Sequence, residues 1–273
     1  MEQSITLNVE RVGNFTSSQI WKLIKFGSRE MTDEEMDAYK KDNPKGKKRN
    51  IESGFSSGGL TYIEEKNMER RFNLCLTQEV YTKPMAWGKI CEMYTHEKRM
   101  GIEYQSVGDK TLPHPTIDFW KGSPDFKNPS KKIIAEHKAY ERKNFAYYAD
   151  AILKQDTEVL KNECPEEYWQ MVSNACILEY DYIQPMLFMP YLSELPDISL
   201  FAANLDDKEQ WKYKFIFDAV ESGNYASLPY LMDKGYYKNF ITCVLEVPKA
   251  DKEFLTERVL EAGKLLNPYY INK

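Results

Sequence analysis

The chain has 273 residues, 42% hydrophobic and 29% charged, the balance of a globular protein with room for one large domain. Its net charge of −5 and pI near 5.5 exclude a uniformly basic nucleic-acid binder but leave room for a local basic channel. No apolar run approaches the roughly 20 residues of a membrane span, and Met1-Glu2-Gln3-Ser4 carries no secretory pattern, so a cytoplasmic protein is expected.

In chain order, Thr16 and Ser17 are placed to cap a helix through Ile20, Leu23 and Ile24 that ends at Gly27. Thr32-Asp33-Glu34-Glu35 has the form of a capping box opening a short second helix. Lys40, Lys41, Lys45, Lys47, Lys48 and Arg49 then cluster around Pro44 and Gly46, in either a solvated loop or a phosphate-contacting one. Residues 43 to 58 read as exposed loop, ending in Ser56-Ser57-Gly58-Gly59. A long helix is predicted over residues 62 to 76, and another over 84 to 100, with Pro84 in its first turn and Gly101 as its stop. Trp87, Ile90, Cys91 and Tyr94 give that second helix an apolar stripe.

The periodicity then changes to strands over 102 to 105, 116 to 120 and 132 to 138. Helices resume over 145 to 160 and 165 to 178, followed by a strand over 183 to 189. A polar stretch with Pro196, Asp206 and Asp207 leads to a helix over 211 to 220, then a strand over 241 to 247 and a last helix over 249 to 266. Helices, a central group of strands and helices again predict an α/β fold with a mixed sheet flanked by helices. No repeat or boundary divides the chain, so residues 1–273 form a single domain, with 191 to 240 the least patterned part. Cys75, Cys91, Cys164, Cys176 and Cys243 are scattered without C-x-x-C spacing, which argues for reduced thiols and against a zinc or iron–sulfur site.

The chemistry concentrates in Gly122-Ser123-Pro124-Asp125 and Ala135-Glu136-His137-Lys138. Side chains alternate along a strand, so Glu136 and Lys138 share a face and His137 takes the other. A bent hairpin that brings Asp125 alongside gives two carboxylates for a hard divalent cation, with an ammonium beside them. Metal-assisted phosphodiester cleavage uses this set: oxygen ligands, and a lysine to position or deprotonate the attacking water.

Further motifs extend the pattern. Arg11-Val12-Gly13-Asn14-Phe15-Thr16-Ser17-Ser18 precedes the first helix, Lys83-Pro84-Met85-Ala86-Trp87-Gly88-Lys89 opens the helix that carries Glu92, and Tyr168-Trp169-Gln170 follows the hairpin. In this order the chain resembles the phage lambda exonuclease family, the YqaJ-type viral-recombinase branch of the PD-(D/E)xK nucleases. The resemblance covers residues 11 to 178, and the core motifs are assigned to 11–190 with 191–273 as a C-terminal elaboration. One departure is Asn174, where related nucleases carry a tyrosine four residues after the glutamine.

The resemblance implies a restriction-endonuclease-like core and a Mg²⁺-dependent double-strand DNA 5′→3′ exonuclease that prepares single-stranded ends for phage-type recombination. It implies Glu92, Asp125, Glu136 and the backbone carbonyl of His137 as ligands of two Mg²⁺ ions, for which Mn²⁺ substitutes. Lys138 would activate the water, and Gln170 would hold the water or the scissile phosphate. Arg11, Ser18, Lys83 and Ser123 would gather the 5′-phosphate. A ring of subunits, such as a trimer, and a single-strand annealing protein are the implied partners, in a bacterial or phage-infected cell. A catalytically idle DNA-binding or assembly protein and an endonuclease of the same fold are the alternatives. The intact Glu92, Asp125, Glu136 and Lys138 count against the first, and the Arg11, Ser18 and Lys83 group against the second.

Overall fold

The computed structural model describes residues 11–76, 81–108 and 110–269. Strand β1 (Phe15–Thr16) leads into a 3-10 helix (Ser17–Leu23), then β2 (Gly27–Glu30), α1 (Asp33–Asp42) and β3 (Asn50–Ser53). Helices α2 (Ser57–Phe72) and α3 (Lys83–Arg99) follow, then the short strands β4 (Gln105–Ser106), β5 (Leu112–Pro113), β6 (Trp120–Gly122) and β7 (Phe126–Asn128). Strand β8 (Ile133–Lys138) precedes α4 (Arg142–Leu153), α5 (Thr157–Glu163), α6 (Pro165–Leu178) and β9 (Tyr182–Phe188). Helices α7 (Leu195–Ala203), α8 (Asp207–Gln210) and α9 (Lys214–Ser222), strands β10 (Phe240–Thr242) and β11 (Leu245–Glu246), and helix α10 (Lys249–Gly263) complete the order.

The central sheet has the order β10-β9-β8-β7-β4, with β11 also paired to β9. Strands β8 and β9 are parallel and the other pairs antiparallel, so the sheet is mixed as the sequence predicts. Helices α4 to α6 make the crossover that a parallel pair requires. Residues 133 to 137 are all buried because β8 is covered on both faces. A smaller sheet pairs β1 with β6 in parallel, Phe15 opposite Trp120 and Thr16 opposite Lys121, with β5 on the other side.

Several boundaries differ from the sequence reading for identifiable reasons. The predicted capping box is present: Glu35 N–H donates to Thr32 Oγ1 at 3.3 Å and Thr32 N–H donates to Glu35 Oε2 at 2.9 Å. Helix α2 starts at Ser57 rather than 62, because Ser56 Oγ accepts from Gly59 N–H at 3.3 Å and turns the Ser-Gly-Gly run into a helix start. The single helix expected over 145 to 160 is two. Gln155 adopts φ 51°, and Asp156 Oδ1 caps α5 by accepting from Glu158 and Val159 N–H at 2.8 and 3.1 Å. The strand expected over 116 to 120 begins only at Trp120, since His114 Nδ1 accepts from Thr116 and Ile117 N–H at 3.2 Å and bends the chain there. The stretch around Pro196 contains α7, with the proline in the first turn, where its missing N–H costs nothing.

The main core gathers Phe15, Ile20, Tyr62, Trp120, Ile134, Phe145, Tyr168 and Leu187 between the sheet and α2, α4, α5 and α6. Leu255, Val259 and Ala262 of α10 bury in the same core. A second core joins Trp87, Ile90 and Tyr94 of α3 to Ile198 of α7, Tyr213 and Ile216. The least patterned residues thus fold back onto the helix that carries Glu92. Arg258 of α10 reaches the N-terminal segment, donating to the carbonyls of Leu23 at 2.9 Å and Gly54 at 3.0 Å, with its guanidinium over Phe26 and Phe55.

Candidate active site

Strands β7 and β8 pair with Phe126 opposite Ala135, a register whose next step sets Asp125 opposite Glu136. Asp125 Oδ2 accepts from His137 N–H at 2.8 Å, which fixes the loop carboxylate against the strand. Glu136 and Lys138 share the face turned to α6, as alternation predicts. Gln170 Nε2 donates to Glu136 Oε2 at 2.8 Å, and Lys138 Nζ donates to Gln170 Oε1 at 3.0 Å. Lys138 Nζ stands 4.0 Å from Glu136 Oε2, so Gln170 bridges the two charges. Asn174, one turn further along α6, donates from Nδ2 to Glu136 Oε1. Both oxygens of Glu136 are therefore engaged by amides from one helix face.

The opposite face meets α3. His137 is buried there, with Nε2 3.1 Å from Thr95 Oγ1, and burial lowers its pKa to about 3, so the ring is neutral and structural. Glu92 emerges at the margin of the apolar stripe, with a side chain 15% exposed and in an ion pair with Lys89 at 3.1 Å. A methyl added at Gly108 would lie 3.6 Å from Glu92 Oε1 and 3.7 Å from Asp125 Oδ1. The glycine keeps open a space that both carboxylates border.

Burial dominates the electrostatics. Glu136, 1% exposed, has its carboxyl pKa pushed well up by burial and then by the neighbouring Asp125 charge, against Lys138 and Asn174. Asp125 is raised by burial and lowered in part by Lys138 and the His137 N–H. Two adjacent carboxyls that resist ionisation together are a site where a divalent cation relieves the strain of charge. The donors are all oxygens, the chemistry of a hard cation such as Mg²⁺. Asp125 and Glu136 fit this directly, with Glu92 bordering the same space. Among the described residues, no three His, Cys, Asp or Glu side chains converge as a preformed cage.

Of the residues expected at a 5′-phosphate, Ser18 and Ser123 follow the paired strands β1 and β6 of the small sheet. Each lies two residues beyond the Thr16–Lys121 pair of its parallel strands. Ser18 is exposed, and Ser123 Oγ donates to Thr111 Oγ1 at 3.5 Å. Arg11 precedes them, with a buried Nε that has no hydrogen-bond partner among the described residues. Lys83 stands at the start of α3, its ammonium 5.9 Å from the Phe215 ring centroid, on the wall of a separate small cavity.

Sequence reasoning gave Asn174 no contact of its own, yet it is fully buried against Glu136. Its four-residue spacing from Gln170 was the available signal, since i and i+4 share a helix face. Gly122 belongs to the same packing: a methyl there would fall 2.1 Å from Asn174 Oδ1 and 2.3 Å from Ser17 Oγ.

No protein-family model and no curated protein matches the chain. Among solved structures it is similar to the alkaline exonuclease LHK-Exo of Laribacter hongkongensis, at 15% identity and a TM-score of 0.51, over 93% of this chain and 89% of that one. The structure of LHK-Exo in complex with dAMP gives 15% and 0.51 over 94% and 90%. A phage related exonuclease from Haemophilus somnus 129PT gives 13% and 0.50 over 92% of each chain. The chain thus shares its overall fold with these exonucleases.

Proposed function

We propose that this chain is a divalent-metal-dependent deoxyribonuclease that digests one strand of duplex DNA from its 5′ end, leaving single strands for phage-type recombination. The observation that carries this reading is the cluster of Asp125, Glu136, Lys138 and Gln170 at one end of the central sheet, in a fold shared with exonucleases. The complex of LHK-Exo with dAMP, a DNA mononucleotide, supports the same substrate class.

Asp125, Glu136, Glu92 and the His137 carbonyl would hold Mg²⁺. When bound, the cation supplies charge that stabilises the anionic phosphate and lowers the pKa of the attacking water. The side chains do the rest. Lys138 orients that water, held in aim by Gln170, whose carbonyl takes the ammonium and whose amide takes Glu136. Asn174 and the His137 N–H hold the two carboxylates in one arrangement, so little reorganisation accompanies reaction. Arg11, Ser18 and Ser123 would gather the terminal phosphate, while Lys83 lines the separate small cavity, and the unpartnered Arg11 Nε is a donor suited to an anion. A ring of subunits around DNA, an annealing partner and a cytoplasmic setting extend this reading.

The test is digestion of linear duplexes labelled at either end, with 5′-phosphate or 5′-hydroxyl, in Mg²⁺ or EDTA. Mg²⁺-dependent loss of nucleotides from 5′-phosphorylated ends is expected, and none after Asp125→Ala or Lys138→Ala, which should still bind DNA. Internal nicking of closed circles would make it an endonuclease. Wild-type turnover in either variant would remove the site.

A further inference from the structure

Aromatic and cationic side chains gather at a second place. Tyr81, ahead of α3, and Trp211, in a 3-10 helix before α9, have ring centroids 6.0 Å apart at 53°. Trp211 is 66% exposed and is the one exposed tryptophan of the chain's five. Lys212 Nζ stands 5.1 Å from the Tyr81 ring centroid. With Lys83, Lys214 and Phe215 these rings line a shallow cavity of about 320 Å³.

The position of this cavity gives it a use. Tyr81 and Lys212 also line a groove of about 1630 Å³ whose wall includes Glu92 and Lys89. Tyr81, with Trp211 packed against it, therefore stands along the groove from Glu92. Lys83 and Glu92 are nine residues apart on α3, about 13 Å along its axis. Charge distinguishes the two ends. Along the groove Glu92, Glu97, Asp197 and Glu209 stand with Lys89, Lys98 and Lys212, whereas the ring cavity is lined by Lys83, Lys212 and Lys214 with Asp218. Lys212 rests on Glu209 at 2.7 Å and Lys214 on Asp218 at 2.8 Å. Exposed pairs of this kind are weak and exchange readily for phosphates. An indole face left in water beside lysines suits a polyanion carrying flat rings, since bases stack on the aromatics and lysines meet the backbone.

We propose that Tyr81 and Trp211, rimmed by Lys212 and Lys214, form a stacking site for single-stranded DNA, receiving a strand that runs along the groove from the Glu92 end. This rests on the nuclease reading for its substrate class, but its test needs no cleavage. In protein carrying Asp125→Ala, in EDTA, binding of fluorescein-labelled oligo(dT) is followed by anisotropy and by quenching of tryptophan emission. Adding Trp211→Ala should weaken binding about five- to a hundredfold, the loss of one base–aromatic stack, with an unchanged melting temperature. Lys212→Gln should flatten the dependence of affinity on salt. Equal oligo(dT) affinity with and without Trp211 overturns the proposal. So does a result in which Trp211→Ala leaves that affinity intact and instead dissolves a dimer, which would make the rings a protein contact. Oligo(dT) binding through Trp211 in a chain that digests no DNA would sink the nuclease reading and keep the platform. Digestion with Trp211 irrelevant to binding would do the reverse.

Discussion

At the scale of single residues, the site depends on atoms that touch no substrate. Gly122 is the sharpest case, because any Cβ there collides with Asn174 Oδ1, Ser17 Oγ and, at 2.8 Å, Ile177 Cδ1. Gly122→Ala is expected to cost about 1–3 kcal/mol by overpacking, and to displace Asn174 from Glu136. Urea unfolding measures the first effect and Mn²⁺ titration the second. A variant as stable as its parent would mean that the contact is easily relaxed. Asp125, Glu136 and Lys138 were legible in the sequence because alternation along a strand is a local rule. Asn174 was not, since its partner Glu136 is set by how α6 lies against the sheet.

At the scale of elements, α1 is the most self-reliant. It buries no residue and is held by its capping box and by Arg29, which donates to both Glu35 oxygens at 2.7 Å. That partnership, first through the Arg29 hydrogen bond, lowers the Glu35 pKa from 4.5 to about 2. A depressed carboxyl pKa stabilises the folded form above the unfolded value, and the contribution is lost as pH falls from about 4.5 through about 2. Carbon chemical shifts of residues 33 to 42 should therefore move toward coil values in that window while the core keeps its own. Helix shifts that persist at pH 2 would show that the ion pair does not hold α1. The capping box was readable because all its atoms come from four consecutive residues. The split between α4 and α5 was not, because Gln155 gives no sequence hint of a left-handed conformation.

At the scale of the whole molecule, the change from helical to strand periodicity revealed a mixed α/β fold, but strand order is a long-range property. The parallel β8–β9 pair and the packing of α7 and α9 on α3 come from contacts that no local pattern encodes. The same long-range burial raises the pKa values of Asp125 and Glu136. A raised carboxyl pKa favours folding below the unfolded value, and that contribution is lost as pH rises through the folded one. On the proposed reading Mg²⁺ would replace the protons, so it should raise the melting temperature more at pH 8 than at pH 5.5. Glu136→Gln should remove that pH-dependent increment. An increment equal at both pH values would place Mg²⁺ elsewhere.

The grip of Arg258 on the carbonyls of Leu23 and Gly54 also sets a timetable. These partners are separated by 235 and 204 positions, so on the ribosome the first motif emerges long before the residue that secures it. Ile20 and Leu23 share their core with Leu255 and Val259, so its packing is complete only once α10 has been made. Helix α10 therefore closes over the N-terminal segment late, and a half-translated chain carries Glu92, Asp125 and Glu136 without the helix that secures the turn after β1.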